Sequence, residues 1–350
     1  MTDTSKADGG AGQARARPRA PKAAPTIYDI ASLAGVNPST VSRALSKPGR
    51  VSAKTAQKIM DAAEELNYQV NVFARALPTG RTQTIGLIVS DITNPAFFDV
   101  IRGAETAASA RDYTLMLAES TESAELELTA ARRMLATVDG LILASPRLSD
   151  GEIGQLAAQK PVVVINRSVA GVASVVADTD SGVTDAVRHL AAMGHTDISY
   201  LAGPERSWMS QRRWESIKAR CDWHGLAATV VASGLPTVDG GRRAAAAVRE
   251  GTATAVFCYN DLMAIGLMRE LQSAGLAIPE DLSILGFDNI FGSDFTTPPL
   301  STIKSPLHAL GVSALGRVLD AVDLADAGQE PPVLPTELVL RGSTGRANGA

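Results

Sequence analysis

The chain has 350 residues, 45% of them hydrophobic and 20% charged, and a formal net charge of −4. This length accommodates a small domain beside a larger one with its own core, and the composition is ordinary for a soluble globular protein. No apolar run is long enough to span a membrane and no secretory signal is recognisable, so we expect a cytoplasmic protein. Cys221 and Cys258 lack the spacing of a metal motif and fit a reducing compartment.

Charge is unevenly distributed along the chain. Residues 1–81 contain 12 Lys and Arg against 6 Asp and Glu, which leaves 21 against 31 for residues 82–350. A basic first part joined to an acidic second part is expected where the first part meets phosphates, although a solvated surface is an alternative explanation. Residues 1–24 are rich in Ala, Gly, Pro and Arg and lack hydrophobic periodicity, which predicts a disordered basic tail.

The segment 26–45, TIYDIASLAGVNPSTVSRAL, predicts a helix-turn-helix. Thr26 caps the first helix, Gly35 supplies the turn, and Asn37 with Pro38 begins the second helix. The outer face of the second helix suits the major groove of DNA, with hydroxyls for phosphates and a guanidinium for a base edge. A two-helix corner of an ordinary domain is the alternative. The residues of this outer face are Ser39, Thr40, Ser42 and Arg43.

Two further elements follow the helix-turn-helix. Ser52 caps a third helix, whose apolar residues pack behind the first two helices. The segment 71–77, NVFARAL, is long enough for two helical turns but too short to be stable alone in water, and Pro78 ends it. We therefore expect a linker that becomes helical only on DNA.

From Thr84 onward, strands alternate with helices. Because each strand is apolar throughout, we expect buried parallel strands, each followed by a helix, in an α/β body. Polar residues cluster at the carboxyl ends of these strands, where ligands bind in such sheets. The predicted strands are IGLIVSD, YTLMLAES, GLILAS, PVVVINR, ISYLAG, TAVFCYN and LSILGFD.

Several rare strings occur in one order along the chain. LNY at 66–68, ARAL at 74–77, TGRT at 79–82 and HLAAMGH at 189–195 follow the helix-turn-helix. YNDLMAIG at 259–266, IPEDLSILGFDN at 278–289 and TPPLSTIK at 297–304 come later. With these strings the chain resembles the LacI/GalR (lactose-repressor) family of bacterial transcription factors from about residue 26 to 343. The resemblance implies a small all-α helix-turn-helix head and an α/β body of two Rossmann-like lobes, similar to periplasmic binding proteins.

The same resemblance implies limits for each part of the chain. We expect a tail at 1–24, the DNA-binding domain at 25–70, the hinge at 71–81 and the effector-binding and dimerisation domain at 82–343, followed by a disordered tail at 344–350. Lobe 1 is expected at about 82–177 and 305–335, and lobe 2 at about 178–304 and 336–343. The chain is expected to cross between the lobes near Ala177, Lys304 and Pro335.

The resemblance also implies a homodimer in which each head reads half of a pseudo-palindromic operator in double-stranded DNA. Leu77 matches the hinge leucine that enters the minor groove and kinks the duplex. The hinge departs from the family at Val70, which replaces the usual proline, and at Pro78. Pro38, Ser39 and Arg43 match the major-groove readers, Thr26, Asn37, Thr40 and Ser42 match residues that contact phosphates or hold the register, and Arg50, Ala74 and Arg75 complete the predicted DNA contacts.

In the family a small effector, and no other cofactor or metal, lies in the cleft between the lobes. Arg and Asp side chains together with amides suit a sugar or another polyhydroxylated ligand. Asn166 stands where Asp is common, so it can donate as well as accept hydrogen bonds. Phe97 and Trp208 can stack on the ligand, although Phe97 can equally belong to the lobe core. The predicted effector-binding residues are Asp91, Phe97, Asn166, Arg167, Trp208, Arg213, Asn260 and Asp288.

Other functional classes fit the sequence less well. No nucleophile elbow, P-loop or dinucleotide fingerprint is present, and His189 and His195 fall in a segment that is structural in the family, so we expect no catalysis. A periplasmic sugar-binding module conflicts with the 26–77 head. A ligand-independent architectural DNA-binding protein and a corepressor-dependent regulator remain alternatives to an inducible repressor. A dimer is expected rather than a tetramer, because no heptad repeat follows Arg341.

Overall fold

The computed structural model describes residues 25–46, 49–68, 81–324 and 333–348. These residues fall into two compact units, one within 25–68 and the other within 81–348. The tail at 1–24 and most of the hinge at 71–81 lie outside the described residues. Their predicted disorder and helix therefore stay predictions.

The first unit contains three helices, which are α1 (Ile27–Ala34), α2 (Pro38–Ser46) and α3 (Ala53–Glu65). Thr26 precedes α1. The backbone N–H and the hydroxyl of Thr26 both donate hydrogen bonds to the Asp29 carboxylate at 2.7 Å. Gly35 follows α1 with a φ of 65°, a left-handed conformation that glycine adopts without steric cost. Ser52 caps α3 by accepting a hydrogen bond from the Thr55 N–H. The core of this unit consists of Ile30, Ala31, Val41, Ile59 and Ala62.

The first sheet of the second unit is parallel throughout. Its strands are β1 (Thr84–Val89), β2 (Thr114–Glu119), β3 (Gly140–Ala144), β4 (Val162–Ile165) and β5 (Ala173–Val175), and their order is β2-β1-β3-β4-β5. The helices between them are α4 (Ala96–Ser109), α5 (Ala124–Leu135) and α6 (Asp150–Ala157). α5 and α6 cover one face of the sheet, and α4 covers the other. We call this sheet and its helices lobe 1.

The second sheet is formed mainly by the later part of the chain, and with its helices we call it lobe 2. A short strand, β6 (Ala177–Asp178), leads into it. The strands and helices that follow are α7 (Thr179–Ala192), β7 (Asp197–Ala202), α8 (Trp208–His224), β8 (Ala227–Ser233), α9 (Val238–Glu250), β9 (Ala255–Cys258), α10 (Asp261–Ser273), β10 (Ser283–Asp288), β11 (Ser301–Lys304), α11 (Leu307–Val322), β12 (Leu334–Pro335) and β13 (Glu337–Val339). The order is β13-β11-β10-β9-β7-β8, with only β13 antiparallel to its neighbour, while β12 pairs with β6.

α11 follows a strand of lobe 2 but packs on lobe 1, against α4. The two helix backbones come very close, because a Cβ built on Gly103 would lie 2.1 Å from the His308 carbonyl oxygen. A Cβ on Gly311 would likewise lie 2.1 Å from the Val100 carbonyl oxygen. Glycine is therefore required on both helices at this crossing. The close contact holds α11 against α4 and so places this later part of the chain on lobe 1.

The predicted fold class is confirmed, and two expectations about the strands are corrected. All seven predicted segments form strands, but β2 is an edge strand with mostly exposed or half-buried side chains rather than a buried one. β4 and β10 are each followed by another strand, β5 and β11 respectively, and not by a helix. The short or exposed strands β5, β6, β8, β11, β12 and β13 were not predicted.

The tail at 344–350 was predicted to be disordered, and the structure contradicts this for residues 344–347. His195 in lobe 2 makes a hydrogen bond to the Gly345 carbonyl oxygen at 3.1 Å. The Ala347 N–H donates to the Met193 carbonyl oxygen at 2.9 Å, and Ala347 is buried. The polar composition of this segment gave no sign of these contacts, because they are made by its backbone.

Candidate DNA-contact face and ligand cleft

α2 presents a polar face to solvent in the first unit. Val41 is fully buried in the core, which turns Ser39, Ser42 and Arg43 outward, where all three are exposed. Asn37 precedes the helix, and its Oδ1 accepts hydrogen bonds from the Ser39 N–H at 3.3 Å and the Ser39 hydroxyl at 3.2 Å. The start of α2 is thus held by side chains, and one guanidinium with short hydroxyl side chains faces out. Such a face has the chemistry of a major-groove reader.

The remaining predicted DNA-binding residues are described only in part. Pro38 is the first residue of α2, Thr40 is half-buried on it, and Arg50 is exposed after it. Thr26 is exposed at the start of α1. Ala74, Arg75 and Leu77 lie outside the described residues, so the hinge contacts stay predictions.

An inner cavity lies between lobe 1 and lobe 2, at the carboxyl ends of strands from both sheets. Its volume is about 40 Å³. Ser145 and Asn166 approach it from the ends of β3 and β4, and Asn260 and Asp288 from the ends of β9 and β10. Arg213, in the second turn of α8, reaches it from the side. Parallel strands bring their carboxyl ends to one edge, and here two such edges face each other.

Arg213 and Asp288 form a buried ion pair in this cavity. The Nη2 of Arg213 lies 2.7 Å from Oδ1 of Asp288, and the two side chains are 5% and 11% exposed. Nη1 of Arg213 donates to the Tyr259 carbonyl oxygen, and the guanidinium carbon lies 4.3 Å from the centre of the Phe287 ring. Burial opposes the charge on Arg213, but Asp288 together with Tyr259 and Tyr200 outweighs it and raises the pKa of Arg213. The pair is therefore a fixed donor and acceptor set at the wall of the cavity.

The two asparagines of the cavity differ in the hydrogen bonds that remain open to a ligand. Asn260 uses both ends of its amide, since Oδ1 accepts from the Met263 N–H at 2.9 Å and Nδ2 donates to the Pro236 carbonyl oxygen at 3.0 Å. Asn166 has a φ of 58°, and its buried Oδ1 has no hydrogen-bond partner. A buried acceptor without a partner costs free energy, so Asn166 offers an open place for a hydroxyl donor. Arg213 similarly has a buried Nε without a partner.

The sequence prediction missed a second ion pair at the cavity. Arg147 lies just beyond β3, and its Nε and Nη2 lie 2.7 and 2.6 Å from Oε2 of Glu122. Burial alone would lower the pKa of Arg147, but neighbouring Tyr259 and Glu122 raise it above its ordinary value. Both residues follow the carboxyl ends of predicted strands. The rule that ligands bind at the carboxyl ends of parallel strands could therefore have found them.

Comparison with known proteins decides the family. A model of the lacI family of bacterial regulatory proteins matches residues 26–71, and a model of a periplasmic binding protein-like domain matches residues 187–344. The HTH-type transcriptional repressor CytR of Escherichia coli (strain K12) is 32% identical over 329 residues, which cover 92% of this chain and 96% of CytR. The chain belongs to the LacI family. It is therefore a DNA-binding transcriptional regulator with a ligand-binding body, as the sequence predicted.

Solved structures of the LacI family agree with this architecture. The lac repressor dimer bound to operator and the anti-inducer ONPF superposes with a TM-score of 0.82 at 29% identity, covering 91% of this chain and 99% of that one. A LacI family regulator from Enterococcus faecium with bound ribose has a TM-score of 0.66 and 32% identity, covering 75% of this chain and 98% of that one. Both similarities extend over the two-lobed body.

The other predicted effector residues of this LacI-family chain lie at different distances from the inner cavity. Phe97 lines it and also belongs to the core of lobe 1. Trp208 and Arg167 line an outer groove instead, and Arg167 is paired with Asp150 at 2.6 Å. Asp91 holds its own turn, because its Oδ1 accepts hydrogen bonds from the N–H and the hydroxyl of Thr93 at 2.8 and 2.6 Å. The ligand roles of all eight residues stay predictions.

Two histidines and the two cysteines, side chains that can serve catalysis or metal binding in other proteins, are buried or hydrogen-bonded within this chain. His195 is buried between Thr254 and Gly345, and His189 contacts Thr344. Cys221 and Cys258 are both buried, and burial raises the pKa of Cys221 to about 11. Within the described residues, no group of three or more His, Cys, Asp or Glu could hold a metal ion, and no helix could cross a membrane.

Proposed function

We propose that this LacI-family chain is a repressor whose operator binding is controlled by a sugar or a related polyhydroxylated metabolite. The observation that carries the proposal is the inner cavity, where the Arg213–Asp288 pair and the open Oδ1 of Asn166 offer donors and acceptors at fixed places. A polyhydroxylated ligand needs such a mixed set, because each hydroxyl both donates and accepts. The relative with bound ribose supports the same ligand class.

The proposed mechanism couples the cavity to the DNA-contact face. Two copies of the chain bind a pseudo-palindromic operator, in agreement with the operator-bound lac repressor dimer. Arg43, Pro38 and Ser39 read bases, the neighbouring hydroxyl and amide side chains contact phosphates, and Leu77 enters the minor groove. An effector that prefers one arrangement of the lobes changes operator affinity by its differential affinity for that arrangement. An inducer weakens operator binding, and a corepressor strengthens it.

The same proposal covers the remaining properties of the chain. The protein acts on double-stranded DNA inside the cell and requires a small effector rather than a cofactor. It regulates transcription and does not catalyse a reaction. Its limits are those predicted from the sequence, with the DNA-binding domain at 25–70, the hinge at 71–81 and the effector domain from 82 onward.

The proposal is tested by measuring operator binding in the presence of sugars. Sequences bound by the purified full chain are first selected from random duplex DNA, and binding is then followed by fluorescence anisotropy with D-ribose, D-xylose, D-glucose and D-galactose. At least one sugar is expected to change operator affinity by about 5- to 150-fold, the usual range of allosteric coupling. A selected pseudo-palindrome with no response to any sugar would favour the architectural alternative.

Variants at the cavity identify the responsible residues. Arg213→Met and, separately, Asn166→Gly are expected to remove the sugar response and leave operator affinity without sugar within about twofold, because neither residue lies in the DNA-binding unit. Asn166→Gly breaks no side-chain hydrogen bond of Oδ1, and glycine adopts the φ of 58° at this position without steric cost, so this variant guards against misfolding. The matched control is Arg212→Met, since Arg212 is 42% exposed on the same helix and pairs with Asp180 at the surface. A response that persists in both cavity variants contradicts the assignment of the cavity.

A further inference from the structure

Three spaces meet at Arg147. The first is the inner cavity, which measures about 40 Å³. The second, which we call the first outer groove, lies between Ser149 and Trp208 and measures about 420 Å³. The third, the second outer groove, lies between Ala124 and Leu235 and measures about 500 Å³. Arg147 lines all three spaces and Glu122 lines the inner cavity and the second outer groove, so we take this pair of residues as the partition between the small site and the two larger ones.

Several hydrogen bonds hold Arg147 and Glu122 in place. Besides the bonds to Glu122, Nη1 of Arg147 donates to the Ser145 carbonyl oxygen at 2.7 Å, and its backbone N–H donates to Oε2 of Glu127 at 2.7 Å. Glu122 in turn donates its N–H to the Ser90 carbonyl oxygen at 3.0 Å. The side chains of Arg147 and Glu122 are only 4% and 14% exposed. Moving either side chain aside would leave a buried charge without its partner, which is strongly unfavourable.

We propose that the Arg147–Glu122 pair limits the size of the effector. This inference rests on the proposed sugar response. The inner cavity of about 40 Å³ is much smaller than a monosaccharide, so a monosaccharide already requires some separation of the lobes. A ligand with a base or a second ring beyond the sugar would extend into an outer groove and would also have to displace the ion pair. The site therefore takes a monosaccharide and rejects nucleosides and disaccharides.

Removal of the pair should join the three spaces. The double variant Arg147→Ser/Glu122→Ser removes both charges together, which avoids an unpaired buried charge, and it keeps the backbone bond to Glu127. The matched control is Arg206→Ser, because Arg206 is exposed and lines both outer grooves but not the inner cavity. Melting temperatures of all proteins show whether they fold.

The partition can be tested without any effector. Ser90 is buried at the inner cavity, and Cys221 and Cys258 are buried, so Ser90→Cys places a single thiol behind the partition. The rate of modification is measured with methyl methanethiosulfonate and with the bulkier fluorescein maleimide, and mass spectrometry locates the label. We expect the double variant to accelerate the maleimide reaction by about tenfold or more relative to the small reagent, and Arg206→Ser to change neither rate. An unchanged ratio of the two rates in the double variant overturns the partition.

The size limit is tested by thermal shift with paired ligands, D-ribose against adenosine and D-glucose against cellobiose. In the wild type, the larger member of the responding pair should bind about 100-fold more weakly, as expected when a buried charge loses its partner. The double variant should bring the two affinities within about tenfold. Equal affinities in the wild type, or no gain in the double variant, contradict the inference. If no protein responds to any of the four ligands, the proposed sugar effector fails, while the labelling ratio still decides the partition.

Discussion

At the scale of single residues, Asp261 connects the parts of lobe 2 that carry Asn260 and Asp288. It is fully buried at the start of α10, and its Oδ1 accepts a hydrogen bond from the Thr302 hydroxyl at 2.6 Å. Its Oδ2 accepts from the Ile290 N–H at 2.9 Å. One carboxyl group thus joins a helix, the loop that follows β10 and strand β11. Burial, with a contribution from the charge of Asp288, raises the pKa of Asp261 to about 8.

This raised pKa predicts a pH dependence of stability. The unfolded chain releases the Asp261 proton near its ordinary value of 3.8, whereas the folded chain keeps it up to about pH 8. Folding therefore takes up a proton between these values, and this group makes the free energy of unfolding fall as pH rises, by about 1.4 kcal/mol per pH unit. Urea denaturation of wild type and Asp261→Asn at pH 5, 6 and 7 measures the difference. For each unit by which the pH rises, the free energy of unfolding of the wild type should fall by about 1.4 kcal/mol relative to that of the variant.

The control for this prediction is Asp294→Asn, an exposed aspartate in the loop after β10. It should retain the pH slope of the wild type. If Asp261→Asn also retains that slope, the folded chain does not hold a proton on Asp261 in this pH range.

The residues at the inner cavity show what the sequence could reveal. Arg213 and Asp288 were predicted from the family resemblance, and the structure brings them together as an ion pair. Arg147 and Glu122 were not, because the resemblance did not point to them and their pairing joins positions 25 residues apart. Their side chains gain importance only from burial against each other. Asp261 lay inside a predicted motif, but its bonds to two other elements depend on tertiary packing.

At the scale of elements, the apolar pattern predicted most interior strands and the edge strand β2, but it missed the interior strand β11 and most of the short or edge strands. β1, β3, β4, β9 and β10 are buried along their whole lengths, so their apolar sequences identify them. β8 is an edge strand with mostly exposed or half-buried side chains, and its sequence AATVVAS carries little of that signal. β6 and β12 have two residues each, and they exist because the chain passes between the lobes there. Such strands are set by their partners rather than by their own sequence.

The crossing of α4 and α11 gives a prediction about one element. Gly311→Ala would place a Cβ 2.1 Å from the Val100 carbonyl oxygen, so the two helices must move apart. We expect a loss of about 1–3 kcal/mol in the free energy of unfolding, the usual cost of overpacking. Gly316→Ala on the same helix is the matched control, because a Cβ there meets nothing within 4 Å. It should stabilise the chain by about 0.5–1 kcal/mol through helix propensity. Urea denaturation of the wild type and both variants measures these changes in the free energy of unfolding. Equal free energies of unfolding for the two variants would mean that the helix crossing tolerates a wider spacing.

At the scale of the whole molecule, residues 1–81 and the rest of the chain carry opposite net charges. Residues 1–81 hold 12 basic and 6 acidic side chains, and the rest of the chain holds 21 and 31. The basic part attracts DNA phosphates, whereas the acidic body repels them, so only the head should remain close to the duplex. This arrangement favours binding through the DNA-contact face over nonspecific binding of the body.

The charge distribution predicts a steep dependence of DNA binding on salt. Each phosphate neutralised by a basic side chain contributes about −0.9 to the slope of log affinity against log salt. Arg15, Arg17, Arg19 and Lys22 lie in the segment 1–24, so a chain that begins at residue 25 should bind random duplex DNA with a shallower slope. Its preference for operator over random DNA should stay unchanged, because losing sequence-independent phosphate contacts weakens binding to both by the same factor while the base contacts from α2 are retained. Anisotropy titrations of both chains at several KCl concentrations measure the slopes. Identical slopes would show that these four residues contact no phosphates and that the head alone supplies the electrostatic attraction.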